Sequence, residues 1–140
     1  PEDSASKESE QEAPLLTGNE RILVVDDELL LVQIHKKQLE NRGYAVTITT
    51  DSRDALEKIR AQPEQFDLLI TDQTMPRLSG VELTKEVQKI RPALPIILCT
   101  GHSDIVSKED ALAIGIKKYV TKPIYKDELL LAIREVLDET

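Results

Sequence analysis

Three acids, Asp26, Asp27 and Glu28, follow directly on the apolar run Ile22–Val25. A carboxylate at the edge of a core is costly to desolvate, and neighbouring like charges repel, so the cluster asks for a compensating group. Three further segments share the shape, an apolar run ending in a reactive or hydrogen-bonding residue: FDLLIT before Asp72, PIILC before Thr100 and Gly101, and KKYVT before Lys122 and Pro123. Three carboxylates are too many for one lysine to neutralise. A hard divalent ion such as Mg2+ accepts carboxylate and water oxygens. Lys122 adds a mobile point charge able to pair with Asp72 or with a phosphoryl oxygen. With both in place, Asp72 can stay ionised and act as a carboxylate nucleophile toward phosphorus. The predicted chemistry is a cation-dependent anion site.

These residues are far apart in the chain, so only a fold that collects strand ends can assemble them. The sequence alternates apolar strand-like runs with amphipathic helices. Strands are expected at Ile22–Val25, Tyr44–Thr49, Phe66–Thr71, Pro95–Cys99 and Lys117–Thr121. Helices are expected at Leu30–Asn41 (ended by Gly43), from a cap at Asp51 or Ser52 to about Ala61, and at Gly80–Arg91 (stopped by Pro92). Two more are expected at Asp104–Ile114 (closed by Gly115) and Tyr125–Asp138. Strict alternation implies a parallel sheet covered by helices on both faces, with the first, third and fourth strands central. In such sheets ligands bind at the C-terminal ends of the strands, near the switch in strand order, where the reactive residues stand.

The remaining composition narrows the function. The 140 residues carry a net charge of −8, which argues against broad nucleic-acid binding by this domain. Half of that charge lies in residues 1–19, with Glu2, Asp3, Glu8, Glu10 and Glu12 against Lys7. That segment reads as an acidic disordered linker or tail, whose Leu15 and Leu16 either dock on the domain or float, and residues 20–140 read as the folded domain. With Cys99 the one cysteine, no intrachain disulfide can form and a reducing, cytoplasmic setting is the default. No apolar run approaches membrane-span length, so no membrane contact by this domain is expected. The chain opens on Pro1 and not Met, as expected for a piece of something longer.

The four strand ends, VVDDE, ITDQTMP, ILCTG and YVTKP, occur in this order over residues 20–139, and with them the sequence resembles the receiver domain of two-component response regulators. The resemblance implies a flavodoxin-like doubly wound (βα)5 fold, with a five-stranded parallel sheet in the order 2-1-3-4-5. It implies Asp72 as phosphoacceptor and Asp27 as direct ligand of Mg2+, with Mn2+ as a substitute. Asp26 would act through metal-bound water, and the Thr74 carbonyl would complete the protein ligands. Lys122 would hold the phosphoryl oxygens, Thr100 would move onto them, Tyr119 would rotate inward as a second switch residue, and Lys122–Pro123 would be cis. The donor would be a phosphohistidine on a histidine kinase core or a histidine phosphotransfer domain. The domain would catalyse its own phosphorylation and dephosphorylation, with an output at the helix 4–strand 5–helix 5 surface and a phosphorylation-dependent homodimer as one form of it. The acidic segment and the phrases GNERILVVDDE and LPIILCTGHSD are similar to the C-terminal receiver of a hybrid sensor histidine kinase. A stand-alone regulator would look much the same.

Other readings compete. Asp26–Glu28 could merely favour the start of a helix. An aspartyl phosphohydrolase would carry a second acid two residues after its nucleophile, where this chain has Thr74. A receiver-like interaction module that no longer takes phosphate would be expected to lose an acid or the lysine. His35 reads as a packed histidine, Cys99 as inert core, and His102 as a loop residue bearing on the lifetime of the phosphoryl group.

Overall fold

A computed structural model of the chain describes residues 16–101 and 106–139. Five strands alternate with five helices: β1 (Arg21–Val25), α1 (Leu29–Glu40), β2 (Ala45–Thr49), α2 (Ser52–Ala61), β3 (Leu68–Asp72), α3 (Gly80–Ile90), β4 (Ile96–Thr100), α4 (Lys108–Ala113), β5 (Lys118–Thr121) and α5 (Lys126–Asp138). All strand pairs are parallel, and the sheet order is β2-β1-β3-β4-β5. The expected flavodoxin-like architecture is therefore the one the chain adopts.

The two-residue side-chain period of a strand divides the core into two layers. Ile22 and Val24 of β1, Leu68 and Ile70 of β3, and Ile97 and Cys99 of β4 pack with Val32 and Leu39 of α1 and Leu129, Ile133 and Val136 of α5. Their neighbours Leu23, Val25, Leu69, Ile96 and Leu98 point the other way, onto Ile59 of α2, Leu83 and Val87 of α3 and Ala111 of α4. Central strands need both faces apolar, and β1, β3 and β4 have continuous apolar runs for that reason. His35 sits one turn beyond Val32 on the buried stripe of α1, 7% exposed, as a packed histidine.

Helix ends follow their side chains. Asp51 caps α2 by accepting from the Arg53 amide at 2.9 Å. Ser79 and Glu82 form a reciprocal capping box at α3. Gly43 and Gly115 take positive φ just past α1 and α4, as expected of helix-terminating glycines. The helix expected over Asp104–Ile114 spans Lys108–Ala113 among the described residues. The helix begins at Lys108, because Ser107 accepts from the Asp110 amide at 3.1 Å and two acids, Glu109 and Asp110, favour the first turn. Asp104 and His102 themselves lie outside the described residues, as does Leu15.

Residues 16–19, at the end of the expected tail, lie against the domain. Leu16 packs against the α1–α5 core layer. The Gly18 amide donates to the Arg42 carbonyl at 3.1 Å, and Arg134 reaches both the Thr17 carbonyl and, with two nitrogens, the Glu20 carboxylate at 2.9 Å each.

Candidate functional site

The sheet order reverses direction between β1 and β3, and the crevice at their C-terminal ends collects the predicted residues. Asp72 is the last residue of β3, paired with Cys99, while Asp26 follows β1 directly. Thr100 ends β4, and Lys122 follows β5 with its backbone amide donating to the Thr100 carbonyl at 2.6 Å. The strand limits lie within two residues of those expected from the sequence, and because all pairs are parallel these ends lie along one rim.

Lys122 is the hub of the rim. Its Nζ lies 2.9 Å from Asp26 Oδ2 and 3.0 Å from Asp72 Oδ1, and both aspartates are buried, 4% and 6% exposed. Asp26 uses its other oxygen to accept from the Glu28 amide at 3.0 Å. Asp27 is exposed. One oxygen from each of Asp26, Asp27 and Asp72 falls within 4.8 Å of the others.

That geometry bears on the two readings of the acid cluster. Helix α1 begins after Glu28, whose side chain makes no capping bond, and its first turn holds no acid. Asp26 and Asp27 converge with Asp72 from a neighbouring strand, while Glu28 stands at the start of the helix. Three carboxylates against one ammonium leave an excess of negative charge in a largely buried site. Burial pushes the Asp72 carboxyl up to about 6; the Lys122 hydrogen bond opposes this and the Asp26 charge adds to it. Burial also works against the charge on Lys122, but the hydrogen bonds and charges of Asp26 and Asp72 outweigh it and raise its pKa above the ordinary lysine value. A carboxyl held that high is one a cation would return to the ionised form. The donor set, all hard carboxylate oxygens at close spacing, suits a divalent ion of the Mg2+ class.

The hydroxyl of Thr100 is fully buried, and its Oγ1 has no hydrogen-bond partner among the described residues, which is uncommon for a buried polar atom. Tyr119 on β5 is half-buried, and its hydroxyl donates to the Val106 carbonyl at 2.9 Å. Thr74 lies on the exposed part of the loop after β3. The Lys122–Pro123 peptide bond is cis. A cavity of about 420 Å3 opens beside Lys122, lined by Glu28, Leu31, His35, Pro123 and Ile124. A larger cleft of about 640 Å3 between α2 and α3 contains none of the rim residues. Cys99, one strand position before Thr100, is buried, and burial pushes its thiol up to about 12, out of reach of nucleophilic chemistry.

Sequence reasoning passed over the supports of this rim. Gly80 is one: a Cβ there would stand 2.5 Å from the Asp72 carbonyl oxygen and 2.5 Å from Leu98 Cδ1, so only glycine lets α3 start this close to the end of β3. Ser52 is another, with its hydroxyl bound to the loop beyond Asp72. The Ser79–Glu82 box was legible as an S-x-x-E signature before an apolar stripe; the role of Ser52, a contact across more than twenty residues, has no local signal.

A family model of the response regulator receiver domain matches residues 22–134. The transcriptional regulatory protein ZraR of Escherichia coli (strain K12) is 34% identical over 119 residues, which cover 85% of this chain and 26% of that protein. The alkaline phosphatase synthesis transcriptional regulatory protein PhoP of Bacillus subtilis (strain 168) is also 34% identical over 119 residues, covering 85% of this chain and 49% of that protein. The chain thus spans between about a quarter and a half of the length of these relatives. The crystal structure of a response regulator receiver domain protein from Clostridium thermocellum matches with a TM-score of 0.81 at 33% identity, over 86% of this chain and 95% of that one. With the strand order, the acid rim and the matched span in agreement, the chain belongs to the response regulator receiver domain family.

Proposed function

We propose that this domain accepts a phosphoryl group from a phosphohistidine onto Asp72, with Mg2+ bound by Asp26, Asp27, Asp72 and the Thr74 carbonyl. The observation that carries the reading is the bridge from Lys122 to two buried carboxylates, with a third carboxylate within 4.8 Å. The metal, when bound, neutralises charge on the phosphoryl oxygens. A carboxylate oxygen of Asp72 attacks phosphorus, the P–N bond to the donor imidazole breaks, and its electron pair stays on the imidazole nitrogen. Lys122 exchanges one carboxylate partner for a phosphoryl oxygen. The Thr100 hydroxyl, buried and without a hydrogen-bond partner among the described residues, is suited to donate to the same group. Movement of Thr100 would leave room for Tyr119 to give up its Val106 contact, shifting the population of the α4–β5–α5 surface.

Hydrolysis of an external phosphoester is disfavoured by Thr74, which cannot serve as a general acid. A phosphate-independent interaction module is disfavoured by the retention of all three acids and the lysine. Partners of the proposed reaction are a histidine kinase core or a histidine phosphotransfer domain, in the cytoplasm. For the parent protein, the names of the relatives above support a response regulator, while the hybrid-kinase setting rests on the acidic segment and sequence phrases alone.

The test is intact mass after incubation with Mg2+ and acetyl phosphate. One added phosphoryl group, lost in Asp72→Asn and in the presence of a chelator, is the expected result. A folded protein that gains no mass with any phosphodonor would leave the interaction module as the better reading.

A further inference from the structure

Arg77 is the one non-glycine residue with positive φ among the described residues, at 73°. The Leu78 amide donates back to the Pro76 carbonyl at 2.9 Å, so Arg77 is the centre of a three-residue turn with the φ of the rare, strained γ form. Such a conformation persists in an ordinary residue only when its surroundings over-determine it. Central to those surroundings is one hydroxyl. Ser52, the first residue of α2 and 1% exposed, donates to the Pro76 carbonyl at 3.1 Å and accepts from the Leu78 amide at 3.1 Å. It therefore binds both partners of the hydrogen bond that closes the turn. Asp51, the α2 cap, adds an ion pair to the Arg77 guanidinium at 3.7 Å. The far end of the loop is held separately, with the Gly80 amide on the Gln73 carbonyl and the Val81 amide on the Gln73 side chain, each at 2.9 Å.

We infer that Ser52 is a positioning residue for the metal site: its hydroxyl locks the Pro76–Leu78 turn and so fixes the loop that leaves Asp72 and carries the Thr74 carbonyl. The inference rests on the Mg2+ reading proposed above. No part of Ser52 is a ligand; it acts through backbone geometry. Loss of the hydroxyl leaves two backbone groups of the turn without that partner and lets Arg77 relax toward negative φ, which moves the loop. A glycine at position 77 holds positive φ without strain, so Arg77→Gly should make the clamp unnecessary.

The test is a titration of the chain with MgCl2, followed by amide shifts of Asp26, Asp27 and Asp72 in 1H–15N spectra, which also report folding. Relative to the parent, Ser52→Ala should weaken Mg2+ binding at least about fivefold, the equivalent of one net hydrogen bond. Ser52→Thr, which keeps the hydroxyl, and Ser52→Ala/Arg77→Gly should both return to within about twofold of the parent. A merely structural role would lower stability without this pattern of affinities. If Ser52→Ala does not fold, Ser52→Gly takes its place with the same expectation. Parent-like affinity in the hydroxyl-free variant, or failure of Arg77→Gly to restore it, overturns the clamp while leaving the metal reading intact. Absence of saturable shifts in the parent overturns both.

Discussion

Replacing Asp72 by asparagine should stabilise the metal-free domain at neutral pH, although it removes one side of an ion pair. The carboxyl is 6% exposed and is held at about 6 instead of the ordinary 3.8. Between those values the folded chain binds a proton that the unfolded chain has released, so stability falls as pH rises through the window. The accumulated penalty is about 3 kcal/mol at pH 7.5 and about 1 kcal/mol at pH 4.5. An amide carries no such penalty. That penalty already contains the Lys122 hydrogen bond, which opposes the shift, and the amide meets Lys122 much as the protonated carboxyl would; Lys122 keeps its 2.9 Å contact with Asp26. The net gain expected for Asp72→Asn is therefore about 3 kcal/mol at pH 7.5 and about 1 kcal/mol at pH 4.5. Urea unfolding in EDTA, followed by far-UV circular dichroism because the chain has no tryptophan, measures it. A variant no more stable than the parent at pH 7.5 would refute the reasoning, as would a gain of equal size at both pH values. Adding Mg2+ should close the gap, because the parent offers the ion one more charge.

Gly80→Ala should cost about 1–3 kcal/mol, the usual range for overpacking, because the added methyl meets backbone at the end of β3; it should also slow phosphorylation from acetyl phosphate, since the atom it displaces is the carbonyl of Asp72. A parent-like unfolding midpoint would show that α3 can shift freely. Glu20→Gln should destabilise the domain by about 1 kcal/mol at neutral pH, through the paired bonds from Arg134 that hold the Glu20 carboxyl below its ordinary value. Because that pKa is depressed, the contribution is present above about pH 4.5 and is lost as pH falls through the folded-state value; a difference from the parent that persists in acid would exclude the ion pair as its source.

The architecture was legible because its causes are local. Fully apolar runs at β1, β3 and β4 mark strands covered on both faces, and the alternation with amphipathic helices leaves a doubly wound parallel sheet as the arrangement that buries them all. The rim residues were legible for a related reason: in this topology every strand ends on the same side, so the residues just past each apolar run are the ones the crevice will hold. The start of α4 was less legible, because its cap, Ser107, is one of several polar residues ahead of the apolar stripe.

What the sequence alone determined, then, was the set of elements and the residues delivered to one edge. Which of those residues meet was decided by tertiary structure. Asp26 and Asp27 are adjacent acids, and nothing in their order says that the first is drawn onto Lys122 while the second stays in solvent; that depends on how the chain turns out of β1 beside β3. The clamp from Ser52 to the turn at Arg77, the fit of Gly80 against Asp72, and the Glu20–Arg134 pair join residues remote in sequence. Hydrophobic periodicity is a property of neighbours along the chain and is written in it; hydrogen bonds and charge pairs between elements depend on distances that exist only once the sheet and its helices have packed.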